Sequence, residues 1–353
     1  MKLQNVSTPK SIQGKAARPF VSTLFMFVFL AGTSFGVLAD PKWAKHPKQE
    51  WPTWGGDYAN TRFSRLQEIN RENVSDLEVK WTYSTGLGVD PRAGMYVSPL
   101  VVDDTMYIAD GGNFDGPTQS VIALDARTGA EKWRADITLS MVRDRVFGVA
   151  GRASRGLAYG GGKIYLATFD ARVWALDANT GQVINEFRDA GSGLAGFVTI
   201  GDPDAGYYLT SPPIFIPKTL IPKGGYASGR DVIVIGTAGA EHELRGHISA
   251  FDAHNGELLW RFFTVPAPGE FGGDTWPIIS DGIFDNPFTR GGGTVWMPPA
   301  FDHKSGLVIF GTGNAGPDLD GTHRAGANLF TASVMAVGVA DGKRAWHFQQ
   351  VHH

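Results

Sequence analysis

Short apolar runs alternate with turn-forming residues along the chain from Trp51 onward. Helical periodicity is nearly absent from these runs. Seven of them, bounded by Gly, Pro, Asn or Asp, are predicted to be strands: 100–108, 119–124, 163–168, 173–176, 231–235, 246–251 and 307–310. The pattern therefore predicts an all-β protein built as an antiparallel meander.

An internal repeat of the form apolar-Asp-x-x-x-Gly, followed by an aromatic residue, divides this pattern into units. Plain copies occupy 123–133, 175–187 and 250–260, a weaker copy at 336–346 lacks the Asp, and segment 77–86 adds another Trp-bearing strand. Each copy predicts a strand, a tight turn closed by Gly, and a second strand whose aromatic side chain wedges against a neighbouring unit. Since such units cannot bury their faces alone, the repetition predicts a β-propeller with four-stranded blades.

Two long inserts separate the copies, at residues 187–231 and 262–293. They are rich in Gly, Pro and Asp, which is typical of surface loops. Because the long loops of a propeller gather on one face, these inserts are expected to build any functional site.

Composition restricts the function classes. The 353 residues include 46 Gly, 10 Trp and 22 Phe, which indicates many tight turns and large aromatic wedges. The formal net charge is −3 with no basic stripe, so nucleic acid is not an expected partner. The chain contains no Cys, hence no disulfide and no CxxCH motif for covalent haem. Any electron acceptor must therefore be a separate molecule.

Residues 1–39 have the pattern of a bacterial secretory signal peptide. Basic residues, without any acid, precede the uncharged apolar stretch 20–39. The small residues Val37 and Ala39 predict cleavage after Ala39 and a periplasmic location. The apolar run is also long enough for an uncleaved anchor, which would make the protein membrane-associated. The propeller domain is predicted to occupy residues 40–353.

Several segments together resemble the eight-bladed alcohol dehydrogenases that depend on pyrroloquinoline quinone (PQQ). They are TRFS at 61–64, RGLAY at 155–159, GAEHELRGHISAFDAHNGELLWRF from Gly239, GGGTVW at 291–296, FGTGN at 310–314, NLFTAS at 328–333 and WHFQQV at 346–351. Their shared order and spacing carry the resemblance, which no single motif would. It implies an eight-bladed propeller of which about four to five blades are present here, with PQQ as the cofactor.

The resemblance also implies a metal site. Glu241 and Asn314 match the family's ligands to a calcium ion, and a hard cation of this kind takes carboxylate and amide oxygens. The residues by themselves also fit a solvated loop acid and a turn-forming Asn. The resemblance leaves calcium and a lanthanide both open.

Five further residues are implied as cofactor contacts. Trp296 matches the indole on which the planar quinone rests, and Arg155 matches a donor to the quinone oxygens. Thr210, Gly239 and Ala240 match positions that contact the cofactor's carboxylates and rim. Without the resemblance, Trp296 would be interpreted as a blade-wedging Trp and Arg155 as half of a surface ion pair.

The implied reaction is a two-electron oxidation of a small alcohol. Calcium acts as a Lewis acid on the quinone carbonyl, a carboxylate base removes the hydroxyl proton, and hydride passes to the quinone. The family's base is an Asp expected beyond His353, so no catalytic residue is assigned here and the chain alone is expected to be inactive. Electrons would pass to a separate acceptor such as a cytochrome c or a quinone.

Two other functions stay open at this stage. A non-catalytic propeller scaffold would share the blade repeat, but it needs no stacking indole between two oxygen ligands. An aldose or polyol dehydrogenase of the same superfamily would differ in the loops that face the substrate.

Overall fold

The computed structural model describes residues 50–86, 93–112, 116–140, 152–278 and 286–352. The predicted signal peptide, residues 1–39, lies outside them. Within these ranges the regular elements are β-strands and 3₁₀ helices of three or four residues. No helix in this described part is long and apolar enough to cross a membrane. The expected all-β class is confirmed.

In the described part of the chain, four antiparallel sheets of four strands, here called blades 1 to 4, follow one another. In chain order the strands are β1 (Ala93–Met95); β2 (Leu100–Val102), β3 (Thr105–Ala109), β4 (Thr118–Asp125) and β5 (Glu131–Thr138) of blade 1; β6 (Arg152–Ser154); β7 (Leu157–Gly160), β8 (Lys163–Ala167), β9 (Arg172–Asp177) and β10 (Phe197–Thr199) of blade 2; β11 (Ile214–Ile216), β12 (Val232–Gly236), β13 (His247–Asp252) and β14 (Leu258–Phe263) of blade 3; and β15 (Ala300–Asp302), β16 (Leu307–Gly311), β17 (Ser333–Gly338) and β18 (Arg344–Gln349) of blade 4. Each blade is a meander, and β1 and β6 form a separate parallel pair.

Two strand predictions need correction. The run predicted as one strand at 100–108 is the hairpin β2–β3, because the chain reverses at Asp103 and Asp104, where φ is +48° and +56°. The second strand predicted to end at Phe187 is wrong. The Phe187 side chain is instead buried and packs in an edge-to-face arrangement against Tyr165, with ring centroids 5.8 Å apart. The outer strand of blade 2 is β10, so the insert at 187–231, predicted as surface loop, contains both β10 and β11.

The Asp of the repeat holds its turn together. Asp177 Oδ1 accepts hydrogen bonds from the backbone N–H groups of Asn179 and Thr180, at 3.0 and 2.9 Å. Gly181 then takes the left-handed conformation, with φ +73°, and donates its N–H to the Asp177 carbonyl at 2.8 Å. A shorter copy at residues 302–306, which the sequence analysis missed, closes the turn between β15 and β16 in the same way.

In the turns closed by Gly181 and Gly342, the glycine also receives an aromatic ring from the preceding blade. A Cβ built on Gly181 would lie 2.6 Å from the Trp133 ring, and one on Gly342 would lie 2.7 Å from the Trp260 ring. The indole of Trp133 is fixed from its other end by a hydrogen bond to the Ala178 carbonyl at 3.1 Å. The predicted wedging of aromatic residues between units is therefore confirmed for these blades.

Gly181→Ala is expected to destabilise the chain far more than Gly162→Ala. Both glycines have φ +73°, but nothing lies within 4 Å of a Cβ on Gly162. The backbone strain, about 1–2 kcal/mol, is therefore common to both variants. Overpacking against Trp133 should cost Gly181→Ala about 1–3 kcal/mol more. Denaturation midpoints measure the difference, and equal losses would show that the ring can move away.

A continuous apolar core joins the four blades. It includes Tyr107 from blade 1, Leu166 from blade 2, Val234 from blade 3 and Met335 from blade 4, all of them buried. Burial of this kind fixes each blade against the next. The loops at the blade ends are therefore held in set relative positions.

Candidate functional site

The topology brings all seven predicted site residues to the same end of blades 2, 3 and 4. Arg155, Thr210 and Trp296 lie just before the first strand of their blades, β7, β11 and β15. Residues 239–241 and Asn314 lie just after the second strands, β12 and β16. In an antiparallel meander the start of the first strand and the end of the second strand lie at the same end of the sheet. The separate sequence segments therefore meet.

Hydrogen bonds tie the segments before the first strands into a chain across three blades. The backbone N–H of Arg155 donates to the Thr210 carbonyl at 3.2 Å. The buried hydroxyl of Thr210 donates in turn to the carbonyl of Trp296 at 3.2 Å. Thr210 thus links the backbones of Arg155 and Trp296, one through its carbonyl and the other through its hydroxyl.

Glycines allow the remaining loops to approach each other closely. Gly292 donates its N–H to the Leu244 carbonyl at 2.8 Å, and Gly293 donates to the Asn314 carbonyl at 2.9 Å. A Cβ on Gly292 would lie 2.8 Å from that same Asn314 oxygen, and one on Gly316 would lie 3.2 Å from the Ala240 carbonyl. The loops that carry Glu241, Trp296 and Asn314 are therefore in backbone contact.

Arg155 and Trp296 form the most distinctive pair of the site. The guanidinium carbon lies 4.9 Å from the centre of the indole ring, within the range of a cation–π contact. The Trp296 side chain is 41% exposed, which is high for an indole. The Nη1 atom of Arg155 is buried and has no hydrogen-bond partner among the residues that the structure describes. Burial lowers the pKa of Arg155, because a charged group loses hydration there.

Tyr208 is a site residue that the sequence analysis missed. Its hydroxyl donates to Glu241 Oε2 at 3.4 Å, and its ring is buried. Burial, followed by the negative charge of Glu241, raises the pKa of Tyr208. The Ala238 N–H donates to the Tyr208 carbonyl at 2.9 Å, so Tyr208 is fixed to the loop that carries Glu241. Only the tertiary structure shows this pairing.

Glu241 and Asn314 sit on adjacent loops with their side chains exposed. Asn314 follows Gly313, on which a Cβ would lie 3.4 Å from the Trp296 Nε1 atom. The loop that carries Asn314 thus runs beside the indole. No group of three His, Cys, Asp or Glu side chains placed to hold a metal occurs in the described ranges. The predicted pair, one carboxylate and one amide, is a different kind of donor set.

The residues present fit PQQ and a hard cation. An unpartnered buried guanidinium nitrogen requires an acceptor, and the exposed indole offers a flat face for a planar ring. Glu241 and Asn314 supply the oxygen donors that a hard cation takes. The structure thus brings the whole predicted set together, with Tyr208 in addition.

Comparison with known proteins shows the family of the chain. The model of the PQQ family of glucose, ethanol and alcohol dehydrogenase β-propeller domains matches residues 51–353. The chain belongs to this family. The resemblance inferred from the sequence segments and the propeller fold are therefore confirmed.

The most similar relatives include two bacterial alcohol dehydrogenases. The quinohemoprotein alcohol dehydrogenase of Comamonas testosteroni is 33% identical over 85% of this chain and 39% of its own length. The dehydrogenase subunit of the alcohol dehydrogenase (quinone) of Gluconobacter oxydans is 34% identical over 86% of this chain and 38% of its own length. This PQQ-family propeller thus spans about two fifths of these relatives.

Among solved structures, a europium-containing methanol dehydrogenase shares the fold. It superposes with a TM-score of 0.69 at 28% identity, over 88% of this chain and 50% of its own length. The part of that protein matched by this PQQ-family propeller is therefore about half of it.

Proposed function

We propose that this propeller binds PQQ and a calcium ion as part of an enzyme that oxidises a small alcohol. The observation that carries the proposal is the buried Nη1 of Arg155, which has no hydrogen-bond partner among the described residues and belongs to a guanidinium close to the partly exposed ring of Trp296. A planar anionic ring system satisfies both residues at once, because the indole stacks on it and the guanidinium donates to its oxygens.

Each residue of the set has a separate task in this proposal. Trp296 supports the flat face of the quinone, and Arg155 donates to its oxygens and balances negative charge there. Thr210 fixes the spacing of these two side chains, since it bonds to the backbone of both residues. Gly239 and Ala240 lie at the rim.

Glu241 and Asn314 are proposed to hold the calcium ion. Their carboxylate and amide oxygens are hard donors, and Tyr208 restrains the Glu241 carboxylate. When bound, the quinone supplies a carbonyl group that accepts hydride from the alcohol. No described residue is assigned as the base that takes the hydroxyl proton.

The names of the relatives support the substrate class. The relatives from Comamonas testosteroni and Gluconobacter oxydans are alcohol dehydrogenases, which favours an alcohol. The family name also includes glucose dehydrogenases, so an aldose is the second candidate.

We propose a periplasmic location and a separate electron acceptor such as a cytochrome c or a quinone. The name "dehydrogenase subunit" of the Gluconobacter oxydans relative supports a separate partner. The predicted signal peptide supports the location, and the mass of the protein in a periplasmic extract would show whether cleavage follows Ala39.

The proposal is tested by titrating the purified chain with PQQ, with and without calcium. We expect saturable binding, followed by quinone absorbance and quenching of Trp fluorescence, that is much tighter when calcium is present. Glu241→Gln should remove most of the calcium dependence, because it takes away the anionic ligand. Glu243→Gln is the matched control, since Glu243 lies on the same loop but pairs with Arg290 at 3.4 Å.

Each outcome bears on a different part of the proposal. A folded chain that binds no PQQ would refute the proposed function. Binding that is equally tight without calcium would refute the cation site alone. A parallel titration with Eu³⁺ separates calcium from a lanthanide as the preferred ion.

A further inference from the structure

We propose that Asp318 is a positioning residue that turns the amide of Asn314 so that its oxygen is free for the cation. This inference rests on the proposed function, and it concerns a residue outside the seven assigned above. Asn314 Nδ2 donates to Asp318 Oδ1 at 2.5 Å and to the Ala315 carbonyl at 3.3 Å.

The orientation of the amide follows from the nature of these two neighbours. An amide side chain has one end that donates and one that only accepts. Both neighbours are oxygens without a proton to give, so the NH₂ group must face them. The amide oxygen then points to the other side, and no hydrogen bond reaches it in the described part of the chain. Such an oxygen is available as a metal ligand.

The loop that carries Asp318 is braced from within the protein. Arg324 is only 7% exposed and donates to the Pro317 carbonyl at 3.4 Å and to Asn328 Oδ1 at 3.1 Å. Asn328 is fully buried and donates back to the Arg324 carbonyl at 2.7 Å. These contacts fix Pro317, the residue just before Asp318. The carboxylate therefore has a set position from which to hold Asn314.

The positive charge of Arg324 limits the electrostatic effect that the Asp318 carboxylate has on its surroundings. Asp318 acts electrostatically on both Arg324 and Tyr208, so it lies among the charges of this site. The positive charge of Arg324 opposes the negative charge of Asp318. We therefore assign to Asp318 an effect through the hydrogen bond to Asn314, and only a small effect through its net charge.

Two substitutions separate these effects. Asp318→Ala removes the acceptor, whereas Asp318→Asn keeps an oxygen that accepts from Asn314 Nδ2 and loses the charge. Asp320→Asn is the matched control, because Asp320 is an exposed acid of the same loop whose carboxylate accepts from the Thr322 N–H at 2.9 Å. Losing an outer partner of a metal ligand typically lowers metal affinity about 10–100-fold.

The measurement is binding of Tb³⁺ to the full chain without PQQ, followed by luminescence sensitised through the protein's aromatic residues, with Ca²⁺ as competitor. We expect Asp318→Ala to weaken binding at least about tenfold, and Asp318→Asn and Asp320→Asn to stay within about threefold of the parent chain. Glu241→Gln provides the reference for a lost ligand. Thermal unfolding of each variant confirms that it is folded.

The possible results are distinguishable. If Asp318→Asn binds as weakly as Asp318→Ala, the carboxylate acts by its charge or as a ligand, and the positioning role is wrong. If Asp318→Ala binds like the parent, the role is also wrong, while the proposed function stands. If the parent chain binds neither ion, the cation site itself fails and the role of Asp318 fails with it.

Discussion

Replacing Asp170 by alanine should lower the free energy of unfolding by about 3–5 kcal/mol, because the change removes the fully buried carboxylate of an ion pair and leaves several hydrogen-bond donors without their acceptor. The Asp170 side chain is fully buried, and its Oδ2 lies 3.1 Å from Arg172 Nη1. The same oxygen accepts from the Ser140 N–H at 2.9 Å, and Oδ1 accepts from the Thr168 hydroxyl at 2.5 Å. Ser140 follows blade 1, so this carboxylate joins blade 1 to blade 2.

Asp177→Ala in the same blade is the control for this loss. Asp177 also accepts several hydrogen bonds, but it lies nearer the surface, where water can replace it. We expect a loss of about 1 kcal/mol there, as for a capping residue. Asp170→Asn should fall between the two, since the amide keeps the shape and loses the charge. Chemical denaturation measures all three variants, and similar losses for Asp170→Ala and Asp177→Ala would rule out a special cost of burial.

The blade repeat could be predicted from the sequence because its chemistry is local. The turn from Asp177 to Gly181 closes within five residues, so the spacing of Asp and Gly carries the information. Strand β10 could not be predicted in the same way. It pairs with β9 through partners such as Phe197 and Trp174, and the short run at β10 has no pattern of its own. Pairing across a long insert is a property of the packed blade.

In the candidate site, too, some residues could be predicted from the sequence and others depend on the packed structure. Seven residues could be named because their segments resemble a family, and the structure then brought those segments to one end of the blades. Tyr208 and Asp318 could not be named. Tyr208 reaches Glu241 from the segment before β11, and Asp318 acts through the rotation of the Asn314 amide. Both effects depend on side-chain directions, which residue spacing does not encode.

Arg155→Ala should have opposite effects on the empty and the loaded protein. In the chain without PQQ, Arg155 is half-buried, its Nη1 has no hydrogen-bond partner among the described residues, and burial lowers its pKa. Removing a poorly satisfied charge should leave the free energy of unfolding unchanged or slightly higher. PQQ affinity should fall at least about thirtyfold, or about 2 kcal/mol, because an anionic ligand loses a buried charged donor. Arg155→Lys should recover only part of it, since an ammonium lacks the planar fork of donors that a guanidinium offers to the quinone oxygens.

Arg261→Ala separates this behaviour from that of a structural arginine. Burial also lowers the pKa of Arg261. Its donors are occupied, however: Nε donates to Ser249 Oγ at 2.9 Å, and Nη2 donates to the Ile200 carbonyl at 3.0 Å. Its removal should cost about 1–3 kcal/mol of stability and leave PQQ affinity unchanged. If Arg155→Ala destabilises the empty chain as much as Arg261→Ala does, then Arg155 holds the fold together. The unpartnered guanidinium nitrogen would then no longer indicate a place for a ligand.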